Sequence, residues 1–313
     1  MGVTFVPSPG PRESTSAHAS GPPLRLRRRL RRHPYFLEAF SWAYLTWSMI
    51  PIAIAVMFSF NSGKSTSAWQ GFSLRWYLTD PNQSVLHNSA LHAAVIQTLR
   101  LGALTTAIAV PLGLGFAIGI DRWRSRTSTG LNFVMILSFV VPELLLAVAL
   151  MFVFTQLFTF VRFGTLAEVL ALVVWNVSWP AIMVRARLLT IGRVYEEAAA
   201  DLGASRLSAI RRVLLPMLAP AIFASGVLVF ASVIDDFVIV EQLSSSASTQ
   251  SMAVVIYSNV HGGLAGPALN ALATLMLAFS VILLIIGWAG YRFMTRGERR
   301  SGGNVLTQIT GVK

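Results

Sequence analysis

Residues 101–120 form an unbroken stretch without a single charged side chain. As a helix rising about 1.5 Å per residue it covers roughly 30 Å, the thickness of a bilayer's hydrocarbon core. Inside that core every backbone N–H and C=O must find its partner within the chain, so a run of this length spans as a helix. Comparable apolar runs lie near 36–60, 131–160, 166–184, 217–240 and 269–291. With 54% hydrophobic and 12% charged residues, the chain reads as an all-α polytopic membrane protein of about six transmembrane helices.

The net charge of +12 would suit nucleic acid if it were spread over one surface. Its placement argues otherwise. Arginines cluster before the first apolar run, at Arg122–Arg126, between Arg185 and Arg212, and after Tyr291. The intervening loops carry only Lys64, Arg75 and Arg162, and Arg100 sits at a span end. Alternating basic and poor loops are the positive-inside pattern, which places both termini in the cytoplasm and sets the basic loops against anionic lipid head groups. No nucleic-acid partner is expected. The absence of Cys removes disulfides and thiolate metal sites, and the five His show no ligand spacing and read as surface or interfacial, so neither cofactor nor metal is expected.

The expected organisation is a disordered basic tail (1–35), a membrane domain (36–295) and a polar C-terminal tail (296–313). The first outer loop holds Trp69, Phe72, Trp76 and Tyr77, suited to an interfacial aromatic belt. Residues 90–99 read as a short interfacial helix ahead of the second span, whose Gly113, Gly115 and Gly119 suit close helix packing. Gly63-Lys64-Ser65 mimics the end of a phosphate-binding loop, but Phe58 stands where that motif needs its first Gly. Glu143, just after Pro142, is a charge inside the third run, and Asp235 and Asp236 lie in the fifth with Glu241 at its edge. Intramembrane carboxylates usually face a cavity or a partner. The alternative to a pathway lining is that Arg100 and Arg162, the outer-side arginines near spans, neutralise part of this acidity.

One polar stretch, residues 190–217, has the makings of two short helices. Tyr195 to Leu202 holds good helix formers, and Gly203 suits a left-handed stop. Ser205 suits the cap of a second helix with Arg211 and Arg212 in its last turn, and Pro216 and Pro220 are expected to break that helix from the next run. Glu197-Ala198-Ala199, Gly203 six residues after Glu197, and Val213-x-Leu215-Pro216 resemble the EAA signature of permease subunits of binding-protein-dependent ABC importers, with Val213 where the usual pattern has Ile.

Further strings resemble the spermidine/putrescine permeases of that family. They are Val141-Pro142-Glu143-Leu144, Ile234-Asp235-Asp236-Phe237-Val238, Asn270-Ala271-Leu272-Ala273-Thr274 and the outer-loop WQGFSLRWY. The resemblance implies a type I importer permease in a bacterial inner membrane. It implies a sister permease, a cytoplasmic ATPase dimer and an extracytoplasmic solute-binding protein as partners. It also implies coupling to the ATPase through Glu197, Ala198, Ala199, Asp201, Leu202, Gly203, Leu215 and Pro216, and a substrate pathway past Glu143, Asp235, Asp236 and Glu241. ATP hydrolysis would then belong to a separate subunit. The competing readings are an importer for another small solute (a metal chelate, amino acid or sugar derivative) and a standalone carrier using Glu143 in a proton relay. In a chain without Cys, single introduced thiols report sidedness. Cys at Ser73 or Ser245 is expected to react with impermeant reagent from outside and Cys at Ser205 or Ser301 not; reversed labelling would overturn the topology.

Overall fold

The computed structural model describes residues 35–65, 68–122, 130, 132, 133, 135, 137, 138, 140–263 and 266–310, with side chains to 295. The basic cluster at 25–32 and the loop at 123–129 lie outside the described residues. The chain divides into two units, residues 1–48 and 49–313. Helix α1 (Tyr35–Ser59) begins in the first, where Ser41 and Ser48 return their hydroxyls to the carbonyls of Leu37 and Leu45.

The second unit holds helices α2 (Ser89–Arg122), α3 (Glu143–Phe152), α4 (Thr165–Asn176), α5 (Ser178–Ile191), α6 (Val194–Asp201) and α7 (Arg206–Ala209), then α8 (Leu215–Asp235), α9 (Val238–Leu243), α10 (Met252–His261) and α11 (Pro267–Thr310). Among the described residues, five stretches are long and apolar enough to cross a membrane: Tyr35–Ser59, Ser89–Arg122, Thr165–Ile191, Arg206–Asp235 and Pro267–Thr295. The shorter apolar helix Glu143–Leu157 falls within the third expected run.

Several boundaries differ from the sequence expectation. The interfacial helix and the second span are one helix of 34 residues. Nothing between Ser89 and Leu101 breaks a helix, and Arg100 lies on the exposed face while Leu101 and Gly102 are buried. The third run is not continuous: the described residues of 130–140 are helical, Pro142 is extended (ψ 134), and α3 restarts at Glu143. The fifth run stops at Asp235, with Asp236 extended (ψ 116) before α9 begins. Conversely, Pro216 and Pro220 break nothing. The chain passes from α7 through a wide π turn, Ile210–Leu214, straight into α8. A proline ring collides with the carbonyl four residues back in a regular helix. The π turn shifts the register of those carbonyls just before Pro216, so the helix continues.

Helices α2, α5 and α8 pack on one another most extensively, and α11 lies along α8. The α2–α5 contact passes through Gly113. A Cβ there would sit 2.6 Å from Pro180 Cγ, 2.8 Å from the Val177 carbonyl oxygen and 2.9 Å from the Ala181 nitrogen. Two of those neighbours are backbone and cannot swing away. Gly115, expected to do the same work, has nothing within 4 Å of its Cβ position.

The loop between α1 and α2 folds around Asn61. Its amide donates to the carbonyls of Ser65 (3.0 Å) and Ala68 (2.9 Å), and its Oδ1 accepts from Gln70 N–H at 2.8 Å. Gly63-Lys64-Ser65 is therefore a turn held by Asn61, without the strand and helix a phosphate loop requires. Trp76 is 1% exposed and donates its indole N–H to the Asn61 carbonyl, whereas Trp69 and Phe72 are exposed. Asp80 closes the loop: its Oδ1 accepts from Asn82 and Gln83 N–H, and its Oδ2 meets Arg75 at 2.7 Å. The described histidines His87, His92 and His261 are all exposed.

Gly113→Ala is expected to lower the thermal stability of the purified protein by about 1–3 kcal/mol, the usual effect of overpacking. Gly115→Ala should be neutral or stabilising by up to about 1 kcal/mol through helix propensity; equal effects in a thermal shift assay would contradict the packing. A second expectation concerns pH. The backbone N–H of Asn82, then Arg75 and the N–H of Gln83, hold the Asp80 carboxyl below the usual carboxylate range. A depressed native value adds stability that is complete above the unfolded value and is lost as pH falls through the native one. Amide protection across 75–88 should thus be flat from neutral pH to about 5 and drop below about 4, and Asp80→Asn should remove that drop.

Candidate functional site

Two regions gather the residues singled out by the sequence. The first is the elbow between α5 and α8. Helix α5 ends at Gly192 (φ 71), and α6 starts two residues later. It closes with a paired cap: Gly203 N–H bonds to the Ala200 carbonyl at 2.8 Å and Ala204 N–H to the Ala199 carbonyl at 3.0 Å. This 5→2 and 6→1 pair requires a left-handed residue, and Gly203 supplies it with φ 81. Its Cβ position is open, so Gly is needed there for backbone conformation and not for space. Ser205 caps α7 by accepting from Ser208 N–H at 3.4 Å.

No residue of α6 is buried. Glu197, Ala198, Asp201, Leu202 and Gly203 are exposed and Ala199 is half-buried. Val194 (69% exposed), Leu202 (90%) and Leu207 (75%) project with them from a segment that also bears Arg193, Arg206, Arg211 and Arg212. The segment thus presents apolar side chains in the open, rimmed by charge. A cleft of about 300 Å³ runs between α6 and α7, lined by Arg122, Arg193, Glu196, Glu197 and Arg206 among others. Leu215 and Pro216, grouped with these by motif, instead open α8.

The second region is where two runs break. Glu143 begins α3 and is half-buried; Asp236 follows the end of α8 and is 6% exposed. Helix α9 packs on α3, which brings the Asp236 carboxyl against that of Glu143. Asp236 Oδ1 also accepts from Ile239 N–H at 3.1 Å, capping α9. Asp235 and Glu241 are exposed. So the four pathway candidates divide into a contacting pair, Glu143 with Asp236, and two outward-facing carboxylates. Arg100 and Arg162 are both exposed, and among the described residues neither forms an ion pair with these acids.

Sequence reasoning missed Glu168. It is fully buried in α4, accepts from Gln97 Nε2 of α2 at 2.7 Å, and leaves Oε1 without a partner. Thr165 joins the group, its hydroxyl 2.9 Å from the same Gln97 nitrogen. Glu168 is the single charge in 165–184, so the rule that selected Glu143 would have selected it.

The family model described as "Binding-protein-dependent transport system inner membrane component" matches residues 109–301. The putrescine transport system permease protein PotI of Escherichia coli (strain K12) is 32% identical over 260 residues, covering 82% of this chain and 89% of the relative. The spermidine/putrescine transport system permease protein PotC of the same strain is 30% identical, with 86% of this chain and 97% of the relative covered. Among solved structures, a bacterial ABC transporter involved in the import of the acidic polysaccharide alginate has TM-score 0.65 and 16% identity, covering 84% of this chain and 96% of that one. The inward-facing MetNI methionine ABC transporter has TM-score 0.54 and 18% identity, covering 66% and 94%. At those identities the structural likeness speaks to the fold alone, which is that of an importer permease. Family, fold and apolar spans agree: the chain belongs to the inner-membrane components of binding-protein-dependent transport systems.

Proposed function

We propose that this permease subunit forms half of the translocation pathway of an ABC importer for polyamines such as spermidine and putrescine. The observation that carries the substrate class is the meeting of Glu143 and Asp236 at the two helix breaks. Two carboxyls brought together in an apolar surround need a cation or a proton, and a polyamine offers ammonium groups spaced along a flexible chain. The exposed Asp235 and Glu241 continue the acidic character. A discontinuous pair of helices supplies polar backbone at depth, the arrangement transporters use for substrate sites. The relatives named for putrescine and spermidine point the same way.

In this reading the arginine-rich end, both termini included, faces the cytoplasm, and α6 docks on an ATPase subunit with Glu197, Ala198 and Ala199 at the contact. The unburied α6 and its exposed Val194, Leu202 and Leu207 are what support that docking. A sister permease completes the pathway, and a solute-binding protein delivers substrate at the opposite end.

The test is uptake of radiolabelled spermidine and putrescine by the importer reconstituted in vesicles. Glu143→Gln and Asp236→Asn are each expected to lower uptake about tenfold, as losing a charge-assisted contact of one to two kcal/mol would. The paired Asp235→Asn, Asp236→Asn variant should do at least as much. If these variants carry polyamines normally, or if the wild type carries only neutral or anionic solutes, the cation pathway is wrong.

A further inference from the structure

The elbow is tied to α2 by two arginines, of which Arg122 makes most of the bonds. Its Nε donates to both carboxylate oxygens of Glu196 at 3.0 and 3.1 Å, and Nη2 adds a further bond to Oε1. Nη2 also donates to the Gly192 carbonyl at 3.2 Å, and Nη1 pairs with the neighbouring Asp121. Arg193 returns the connection by donating to the Asp121 carbonyl at 2.8 Å. A guanidinium is a rigid fork of five N–H donors, and here it grips the last turn of α2, the α5–α6 corner and the first turn of α6 together.

The pair is built to persist. The Arg122 and Glu196 side chains are 16% and 21% exposed, so water screens them less than an ordinary surface pair. Glu196 lies in the first turn of α6, where the helix dipole favours its charge. Neighbouring residues on a helix point about 100° apart. Hence Glu196 turns inward to Arg122 while Glu197 remains exposed.

We propose that Arg122 is a positioning residue that makes α6 and α2 move as one body, so that displacement of the docked elbow reaches the spans. Helix α2 packs along both α5 and α8, and α8 ends at Asp235 beside the acidic pair. This rests on the reading that α6 docks on the ATPase. Contact through Glu197 alone would hold the ATPase without transmitting its motion; the Arg122–Glu196 grip supplies the transmission.

The experiment measures substrate taken up per ATP hydrolysed by the assembled importer in vesicles, with hydrogen exchange across 192–202 as a readout independent of activity. Arg122→Ala and Glu196→Ala are each expected to lower that ratio roughly tenfold and to speed exchange. The double variant should be no worse than either single one, as coupled partners behave in a cycle. Arg122→Lys, which keeps charge but loses the fork, should fall between. The same comparison with Arg122→Lys and Glu196→Gln applies if the alanine variants fail to accumulate. Wild-type ratios in the Arg122 and Glu196 variants, alongside loss of coupling in Glu197→Lys, overturn the grip and leave the docking reading standing. Wild-type coupling in Glu197→Lys overturns the docking reading, and the grip with it. Additive losses in the double variant also overturn the grip, since the two side chains would then act separately.

Discussion

In hydrocarbon no water stands ready to pair a stray N–H or C=O, so a spanning helix can break only where the chain itself repairs the ladder. This permease breaks two of its apolar runs, and the repairs define its interior. At Pro142 the missing donor coincides with a restart: Val141 N–H still reaches the Leu137 carbonyl at 3.1 Å, and Leu146 N–H bonds back to the Pro142 carbonyl at 3.1 Å. At Asp236 the side chain steps in, capping α9 through Ile239 N–H, while Glu241 N–H bonds to the Phe237 carbonyl at 2.9 Å. Each repair places a carboxylate at a helix start, where the dipole favours it. The two starts then meet because α9 packs on α3.

The elbow obeys the opposite economy. It is a polar segment with water at hand, yet its helix ends are held by the paired cap at Gly203, the hydroxyl cap of Ser205 and the guanidinium of Arg122. Rigid ends and an unburied middle make α6 a preformed element, one that can meet a partner without first being ordered. Preformed contact surfaces lose less conformational freedom on association than flexible ones.

Between these regions lies the contact of α2 with α5, which depends on the absence of a side chain at Gly113. The buried polar group Gln97–Glu168–Thr165 joins α2 to α4 higher in the same bundle. Nothing in the sequence pairs Gln97 with Glu168, 71 positions apart, and burial in an apolar run is visible only as an expected expense. Which acid faces which neighbour is a property of helix rotation, and rotation is set by packing.

The amino-acid sequence by itself determined the class of the protein, because charge-free runs of bilayer length leave the backbone no alternative to helices. It also determined the elbow, since Gly203 and Ser205 stop and start helices through local backbone geometry that needs no distant partner. The tertiary structure decided the rest. It merged 89–122 into one helix, carried α7 through Pro216 by way of a π turn, and separated Gly113 from Gly115 in role. It joined Glu143 to Asp236 and Arg122 to Glu196 while leaving Asp235 and Glu197 outside. Adjacent residues of one type are equivalent to a reader of composition, and only the direction in which each helix face is buried tells them apart.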